Sequence, residues 1–434
     1  METVHSSYLE QLLQGLPTLP AGSRNELVTL RAEALERANA LTVPTTRDED
    51  WRFTDLSPLY RTSFRKSEQP GAAPDAALNG WAVPEAGSRL VFLDGQFDAG
   101  LSDLHPQAGI NVLPLAEALA RSSPVLPAHA GKYADFRSDP FAAVNTAWLQ
   151  DGALITLSRH AVAAKPVHLL FVSTRAEAVS YPRVLVVAEA GSACTLIEDF
   201  VSLHEGAYLT NAVAEIAVAP NASVRHVRLQ RESRTAFHIG TCAVRLERDS
   251  RYESIAVALG ARISRYNLNV TQAAEGAQCQ IDGLALIDGR QLADTHSFLD
   301  HTRPDGTSRQ MHKCIVGGAA HAVFNGRIVV RPGAQRTSSA QQNRNLLLTD
   351  KAHVDTKPQL EIFADDVKCA HGAAIGQLDP EHIFYLKSRG LSEATARDLL
   401  TFAFATEIVE RIPVPSLVKR LEEMVVRQTR GRQN

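Results

Sequence analysis

The densest run of reactive side chains is Asp365-Asp366-Val367-Lys368-Cys369-Ala370-His371, with two carboxylates, a thiol and an imidazole in seven residues. Cys369 and His371 are two apart. On a strand, residues i and i+2 point to the same face. There a thiolate and a neutral imidazole are two borderline-soft metal ligands. Two ligands do not close a site, so the others must come from elsewhere. The same short C-x-H pattern equally suits a small buried cysteine beside a hydrogen-bonded structural histidine. Gly372 and Gly376 follow, and Ile383-Phe384-Tyr385-Leu386 begins a helical pattern. The cluster thus lies where a β body meets a helical tail. Of the other histidines in this half, His296, His301, His312 and His321 read as structural members of polar ladders. His353 and Asp355 lie closer to the organising stretch and are weaker metal candidates.

The elements that would position these residues are short. The apolar runs Leu346–Leu348 and Leu360–Phe363 read as two strands joined by a turn, because Pro358 excludes a helix between them. From Ala153 to about Phe363 such runs recur every ten residues or so, separated by turn signals such as Pro220-Asn221 and Asp288-Gly289. This texture suggests a sandwich, a barrel or a β-solenoid. No strict repeat is visible, which counts against a solenoid. Before this body, Tyr8, Leu9, Leu12, Leu13 and Leu16 share a helical face, and Ser23 with Glu26 has the form of a capping box. Residues 66–88 read as a loop, and helical patterns return between Leu113 and Leu149. After Gly390, Ser392 can cap a helix striped by Ala396, Leu400, Phe404, Ile408 and Ile412. Pro413 and Pro415 then separate a second helix opened by Ser416. The expected division is a helical or mixed region at 1–152, a β core at 153–374 and a helical region at 375–434.

Composition narrows the function. The chain has 434 residues, 44% of them hydrophobic and 21% charged, as in ordinary soluble globular proteins. A net charge of −3 gives no signal for nucleic acid or a membrane surface. No apolar run approaches the ~20 residues of a spanning helix, and the first residues lack signal-peptide character. Five widely spaced cysteines do not form a disulfide framework. A reducing, cytoplasmic location is the expectation. The phosphate-binding G-x-x-x-x-G-K-S/T string, the G-x-S-x-G elbow, C-x-x-C and H-E-x-x-H are all absent. The chain therefore reads as non-enzymatic, and it has too few clustered cysteines to enclose an iron–sulfur centre alone.

Several strings in order carry a resemblance. They are Phe324-Asn325-Gly326-Arg327-Ile328, Ala334-Gln335-Arg336-Thr337, Lys357-Pro358-Gln359-Leu360-Glu361-Ile362, Asp365-Asp366-Val367-Lys368-Cys369, His371-Gly372-Ala373 and Phe384-Tyr385-Leu386 with Ser388-Arg389-Gly390. Asp48-Glu49-Asp50-Trp51-Arg52-Phe53-Thr54 adds a shorter match, which also suits an aromatic plug between the N-terminal helices and the body. The chain resembles the SufD family of the SUF iron–sulfur cluster assembly system, densely from about Gly317 to Gly390 and more loosely elsewhere. The resemblance implies a mainly β protein, a right-handed parallel β-helix flanked by N- and C-terminal α-helical domains. It implies pairing with the paralogue SufB through the β-helix, or with a second copy in isolation. It also implies docking of the ATPase SufC on the C-terminal helices, which makes Phe384, Tyr385, Arg389, Leu400, Phe404 and Ile408 the candidate partner-binding residues. By the same resemblance His371, and with it Cys369, would ligate iron or a nascent cluster shared with SufB, with Asp365 or Asp366 orienting the ring. A reduced flavin in the complex is a weaker implication.

The chain departs from the SufB pattern. Thr349 stands about where SufB-like chains carry a cysteine after the R-N pair, and Gly372 stands in place of a glutamate after the histidine. These departures point to the partner scaffold rather than to the sulfur-accepting one. The competing reading is a β-helix polysaccharide-active enzyme, which the few aromatics and the absent signal peptide disfavour.

Overall fold

The computed structural model describes residues 8–19 and 24–430, the last two by backbone alone. The β runs after Ala153 are strands, most of them eight to ten residues long. From Arg183–Ala188 onward each pairs in parallel with the next strand but one. Leu292–His301 lies between Ile263–Gln272 and His321–Val330, while Thr307–Val316 lies between Gln278–Ile287 and Thr337–Leu347. Alternate strands therefore build two sheets, and the chain winds into a parallel β-solenoid of about eight turns. The period is irregular: register partners are 26 residues apart at Phe237 and Ile263 but 32 apart at His321 and His353. Corner loops of different length absorb the difference, which is why no repeat shows in the sequence. Asn221 and Gly289 turn two corners with φ of 59° and 67°, the left-handed region their residue types tolerate.

Strand alternation sends one set of side chains inward from each sheet. Leu268, Val270, Ile328 and Val330 meet Leu196, Val224 and Ile281 in one continuous cluster, each contributing about 1.5–3 kcal/mol by leaving water. The first turns are closed off. Ser88–Leu93 pairs with Val167–Ser173 and is edged by the antiparallel Gln96–Leu104, while Ile110–Pro114 runs antiparallel to Gly152–Leu157. The 66–88 stretch differs from the expected loop. It holds a helix, Asp75–Leu78, whose Leu78 is buried with Val91, Leu170 and Val172. Four residues are too few to leave a periodic signal.

Helices cover the outer face of each sheet. Asn25–Ala40 packs with Pro140–Trp148 over Leu209, Phe237, Ile239 and Ile263. Its N-cap position is Arg24, which makes no side-chain cap, and Ser23 lies outside the described residues. Trp51 plugs the same face, its ring 5.9 Å from that of Phe141 and 4.2 Å from the Arg265 guanidinium. Thr54 Oγ1 donates to Asp294 at 2.5 Å, and Arg265 bonds the same carboxylate. On the other sheet, helices Glu393–Val409 and Pro415–Arg430 bury Ala405, Ile408, Val409, Leu417 and Leu421 against Leu229, Val257, Leu284 and Ile315. Arg411 donates to Asp282 at 2.6 Å, Lys313 reaches Glu407 and the Phe404 carbonyl, and Ser416 donates its N–H to Glu85 at 2.8 Å.

The far end of the solenoid is different. His353–Ile362 and Val367–Gly376 are each the terminal strand of a sheet, with a partner on one side only. Pro358 sits mid-strand in the first of these, which an edge strand permits. The amides of His353 and Phe363 donate to Ala320 and Val330 of the neighbouring strand. By alternation, the nitrogen of Pro358 faces the open side, where the ladder does not need it.

Burial alone would disfavour the Asp294 charge, but Arg265, His296 and Thr54 hold its carboxyl well below the usual range. Asp294→Ala leaves the Arg265 guanidinium buried and unpaired. It is expected to cost about 3–5 kcal/mol, read as a lower urea midpoint, with Arg265→Met in the same background recovering part of the loss.

Candidate metal-ligating edge and helical hairpin

Cys369 and His371 both lie on the terminal strand Val367–Gly376. Their register partners one rung back are Ser339 and Gln341, both buried. Cys369 packs against the interior cluster and is half-buried, and His371 shares its face and is exposed. The pair thus tops the interior of the solenoid at its open end. Partial burial raises the Cys369 thiol above its ordinary range, with a backbone hydrogen bond from Ser339 opposing that. The remaining cysteines, Cys194, Cys242, Cys279 and Cys314, are buried and unpaired. Burial pushes the thiols of Cys194 and Cys314 up to about 12, which leaves Cys369 as the one thiol able to meet solvent or a metal. Asp365 and Asp366 sit in the preceding corner, where Asp366 receives the Arg336 amide on its carbonyl. Neither is hydrogen-bonded to His371 among the described residues, so the orienting role expected for them has no geometric support.

Beneath this pair the interior changes character. Earlier turns hold a buried charged network of Glu198, His226, Arg228, Glu232 and His238, whereas the last ones are lined by a neutral hydrogen-bonded stack. His301 Nε2 meets Ser308 Oγ at 3.0 Å, and Ser308 meets Ser339 at 2.7 Å. Gln341 Nε2 donates to Gln310 at 2.8 Å, and Gln310 Nε2 to Ser297 at 2.8 Å. These two columns end at Cys369 and His371. Gln341 Oε1 and His312 Nε2 find no hydrogen-bond partner among the described residues. Glycines make the space: a Cβ on Gly283 would lie 2.1 Å from His312 Nδ1, and one on Gly326 2.2 Å from Gln341 Nε2. Sequence reasoning overlooked this polar core. Its signal was the alternation Ser339, Gln341, Asn343, Asn345, which puts amides or hydroxyls at every inward position from Thr337 to Asn345.

The candidate partner-binding residues separate into three groups. Phe384, Tyr385 and Arg389 stand on helix Pro380–Ser388, which buries none of its residues; Phe384 is 73% exposed and Arg389 lies over the Tyr385 ring. Leu400 and Phe404 are half-buried and line a groove of about 370 Å³ with Arg344, Ile375, Leu378 and His382. Ile408 is fully buried against the solenoid. The helical stripe that singled it out is its packing seam, so it is not offered to a partner in this conformation. Ile362, Phe363 and Ile375 are large apolar side chains exposed at the open end, and among the described residues nothing covers them.

The solenoid is thus edged by antiparallel strands at one end and carries Cys369, His371 and bare strand edges at the other. Residues 171–404 match the family described as SUF system FeS cluster assembly, SufBD core domain, and residues 2–169 match the SufBD protein N-terminal region. The chain belongs to the SufBD family of the SUF iron–sulfur cluster assembly system. It is 38% identical, over 98% of this chain and 96% of the relative, to an iron–sulfur cluster assembly SufBD family protein of Synechocystis. It is 33% identical to the iron–sulfur cluster assembly protein SufD of Escherichia coli over 85% of each chain. It is also 33% identical to the chloroplastic protein ABCI7 of Arabidopsis thaliana, over 93% of this chain and 86% of that one. The SufD resemblance read from the sequence and the mainly β, parallel solenoid fold both hold.

Two measurements test this geometry. A small alkylating reagent is expected to label one thiol per native chain and all five after unfolding, with Cys369→Ala abolishing the native label. The second concerns the polar core. Burial lowers His301 and His312 to about 4, whereas in the unfolded chain both take up a proton near about 6.5. Between those values the unfolded state binds more protons, so stability is full above about pH 6.5 and falls as pH drops through the window. The urea midpoint should decline between about pH 6.5 and about pH 4, and less steeply in His312→Gln.

Proposed function

We propose that this chain is a scaffold subunit of the SUF system that pairs through its open solenoid end with SufB and carries the ATPase SufC on its C-terminal helices. The observation that carries this reading is the placement of Cys369 and His371 together on a terminal, one-sided strand. A sulfur and an imidazole nitrogen there are an incomplete ligand set, on an edge that another strand can extend. A partner bringing further ligands would complete a site for iron or a nascent cluster, which is cargo here rather than a resident group. His371, being exposed, meets the incoming ion. Cys369 follows once metal binding offsets its raised thiol.

The hairpin supports a docking role. Lys313, Arg411 and Ser416 tie it to the body, Leu400 and Phe404 line the groove beside it, and Phe384 and Tyr385 on the preceding helix remain exposed. Movement imposed on helix Pro380–Ser388 would reach the rim through the short segment after Gly376, which borders the same groove. Five unpaired thiols suit a reducing compartment such as the cytoplasm. No described helix is long and apolar enough to cross a membrane. A larger groove of about 470 Å³, lined by Ser63, Arg65, Lys66 and Arg175 among others, offers no aromatic face to a flavin ring, so no step is assigned to one.

The test is co-purification with SufB and SufC, then anaerobic reconstitution followed by absorption spectroscopy. The complex should form with His371→Ala as with the unaltered chain, and cluster yield at limiting iron should fall by about ten-fold, the lower end of what a lost metal-site interaction costs. An unchanged yield would confine the ligands to SufB. Loss of the complex with Phe384→Asp/Tyr385→Asp, tested against SufC alone, checks the helical surface separately.

A further inference from the structure

A second cluster of ligating side chains lies on the opposite side of the sheet wall from the solenoid interior. His321 opens strand His321–Val330, and its register partner on the terminal strand of that sheet is His353. Asp355 is two residues on from His353, hence on the same face. That face is outward, since the intervening Ala322 and Val354 pack inside. Asp355 Oδ2 is 2.7 Å from His321 Nε2 and 3.1 Å from His353 Nε2, and the three ligating atoms lie within 4.8 Å of one another. The two imidazole rings are 4.9 Å apart, the spacing of adjacent rungs.

We propose that His321, His353 and Asp355 form a binding site for a divalent first-row transition metal, with zinc the ion of best geometric fit. Two imidazole nitrogens and one carboxylate oxygen are a common set of three protein ligands around an ion that keeps an open position. Bonds of about 2.0–2.2 Å in tetrahedral geometry set ligand atoms roughly 3.3–3.5 Å apart. The carboxylate oxygen at 2.7 and 3.1 Å from the two nitrogens is about 0.2–0.8 Å closer than that, and no pair of the three atoms exceeds 4.8 Å, so rotation of these partly exposed side chains admits the ion. The charge balance points the same way. Among the described residues, the ion pairs of Asp355 are with these two rings, while the nearby cations are engaged elsewhere, Lys357 with Glu49 and Arg327 with Glu361 in a two-pronged bridge. The carboxylate therefore has no permanent cation of its own, and a divalent ion supplies one. The side chains are 26%, 65% and 25% exposed for His321, His353 and Asp355, which leaves the fourth position open to solvent. This site is separate from Cys369 and His371, which lie on the other sheet and on its inner face, and does not depend on the role proposed for them.

The test uses the full chain stripped with a chelator and titrated with cobalt(II), whose visible absorption reports coordination, followed by displacement with zinc. The unaltered chain should bind one cobalt per chain. His353→Ala and Asp355→Asn, both at partly exposed positions and checked by thermal unfolding, should weaken binding about ten-fold or more. The Cys369→Ala/His371→Ala double variant should bind as the unaltered chain does. Absence of a cobalt spectrum, equal affinity in His353→Ala and Asp355→Asn, or loss confined to the Cys369/His371 variant would each overturn the assignment.

Discussion

A parallel strand can satisfy its backbone only if another strand lies on each side of it, and this one requirement organises the molecule. Each turn of the solenoid supplies the next with a template and inherits its exposed edge. The debt is settled at the first turns by antiparallel strands that the chain folds back on itself. At the last turn it is not settled among the described residues. That end carries bare edges, exposed Ile362, Phe363 and Ile375, and the half-buried thiol of Cys369. The architecture and the candidate site are thus one feature: the place where stacking stops is where backbone groups, apolar side chains and the Cys369–His371 pair are left open.

The outer faces follow a different rule. Both are covered by helical segments anchored at charged groups: Thr54 and the Asp50 carbonyl meet the buried Arg265–Asp294 pair of the solenoid on one side, and Arg411 between the hairpin helices meets Asp282 on the other. Such pairs contribute little net stability compared with apolar packing, but they are costly to break singly. They give each covering segment a fixed polar contact on a surface of otherwise similar rungs. The two helices of the C-terminal hairpin that touch the solenoid are locked in this way. The first helix after the terminal strand has no such lock, so its aromatic residues stay outside.

Much of this was legible in the sequence, for reasons particular residues make plain. Turn pairs such as Asp288-Gly289 and the apolar runs between them announced the strands, and the i, i+2 spacing of Cys369 and His371 placed both on one face. The solenoid itself was masked, because corners of unequal length shift the period and no repeat survives. Ile408, expected at a partner-binding face, is buried against the solenoid, since a helical stripe shows that a face is apolar without showing what it meets. The polar core escaped notice because an alternating amide and hydroxyl strand is usually read as solvent-facing. The contact of His321 with His353 spans 32 residues of chain and depends on a register that no local pattern encodes.

Pro358 gives the open end a handedness of attachment. Of the two free edges, one lacks a hydrogen-bond donor at its middle, while Val367–Gly376 contains no proline. An incoming solenoid that tried to continue both sheets at once would meet an interrupted ladder on one side and an unbroken one on the other. The rim is therefore asymmetric, one terminal edge offering an unbroken row of donors and the other a row interrupted at Pro358.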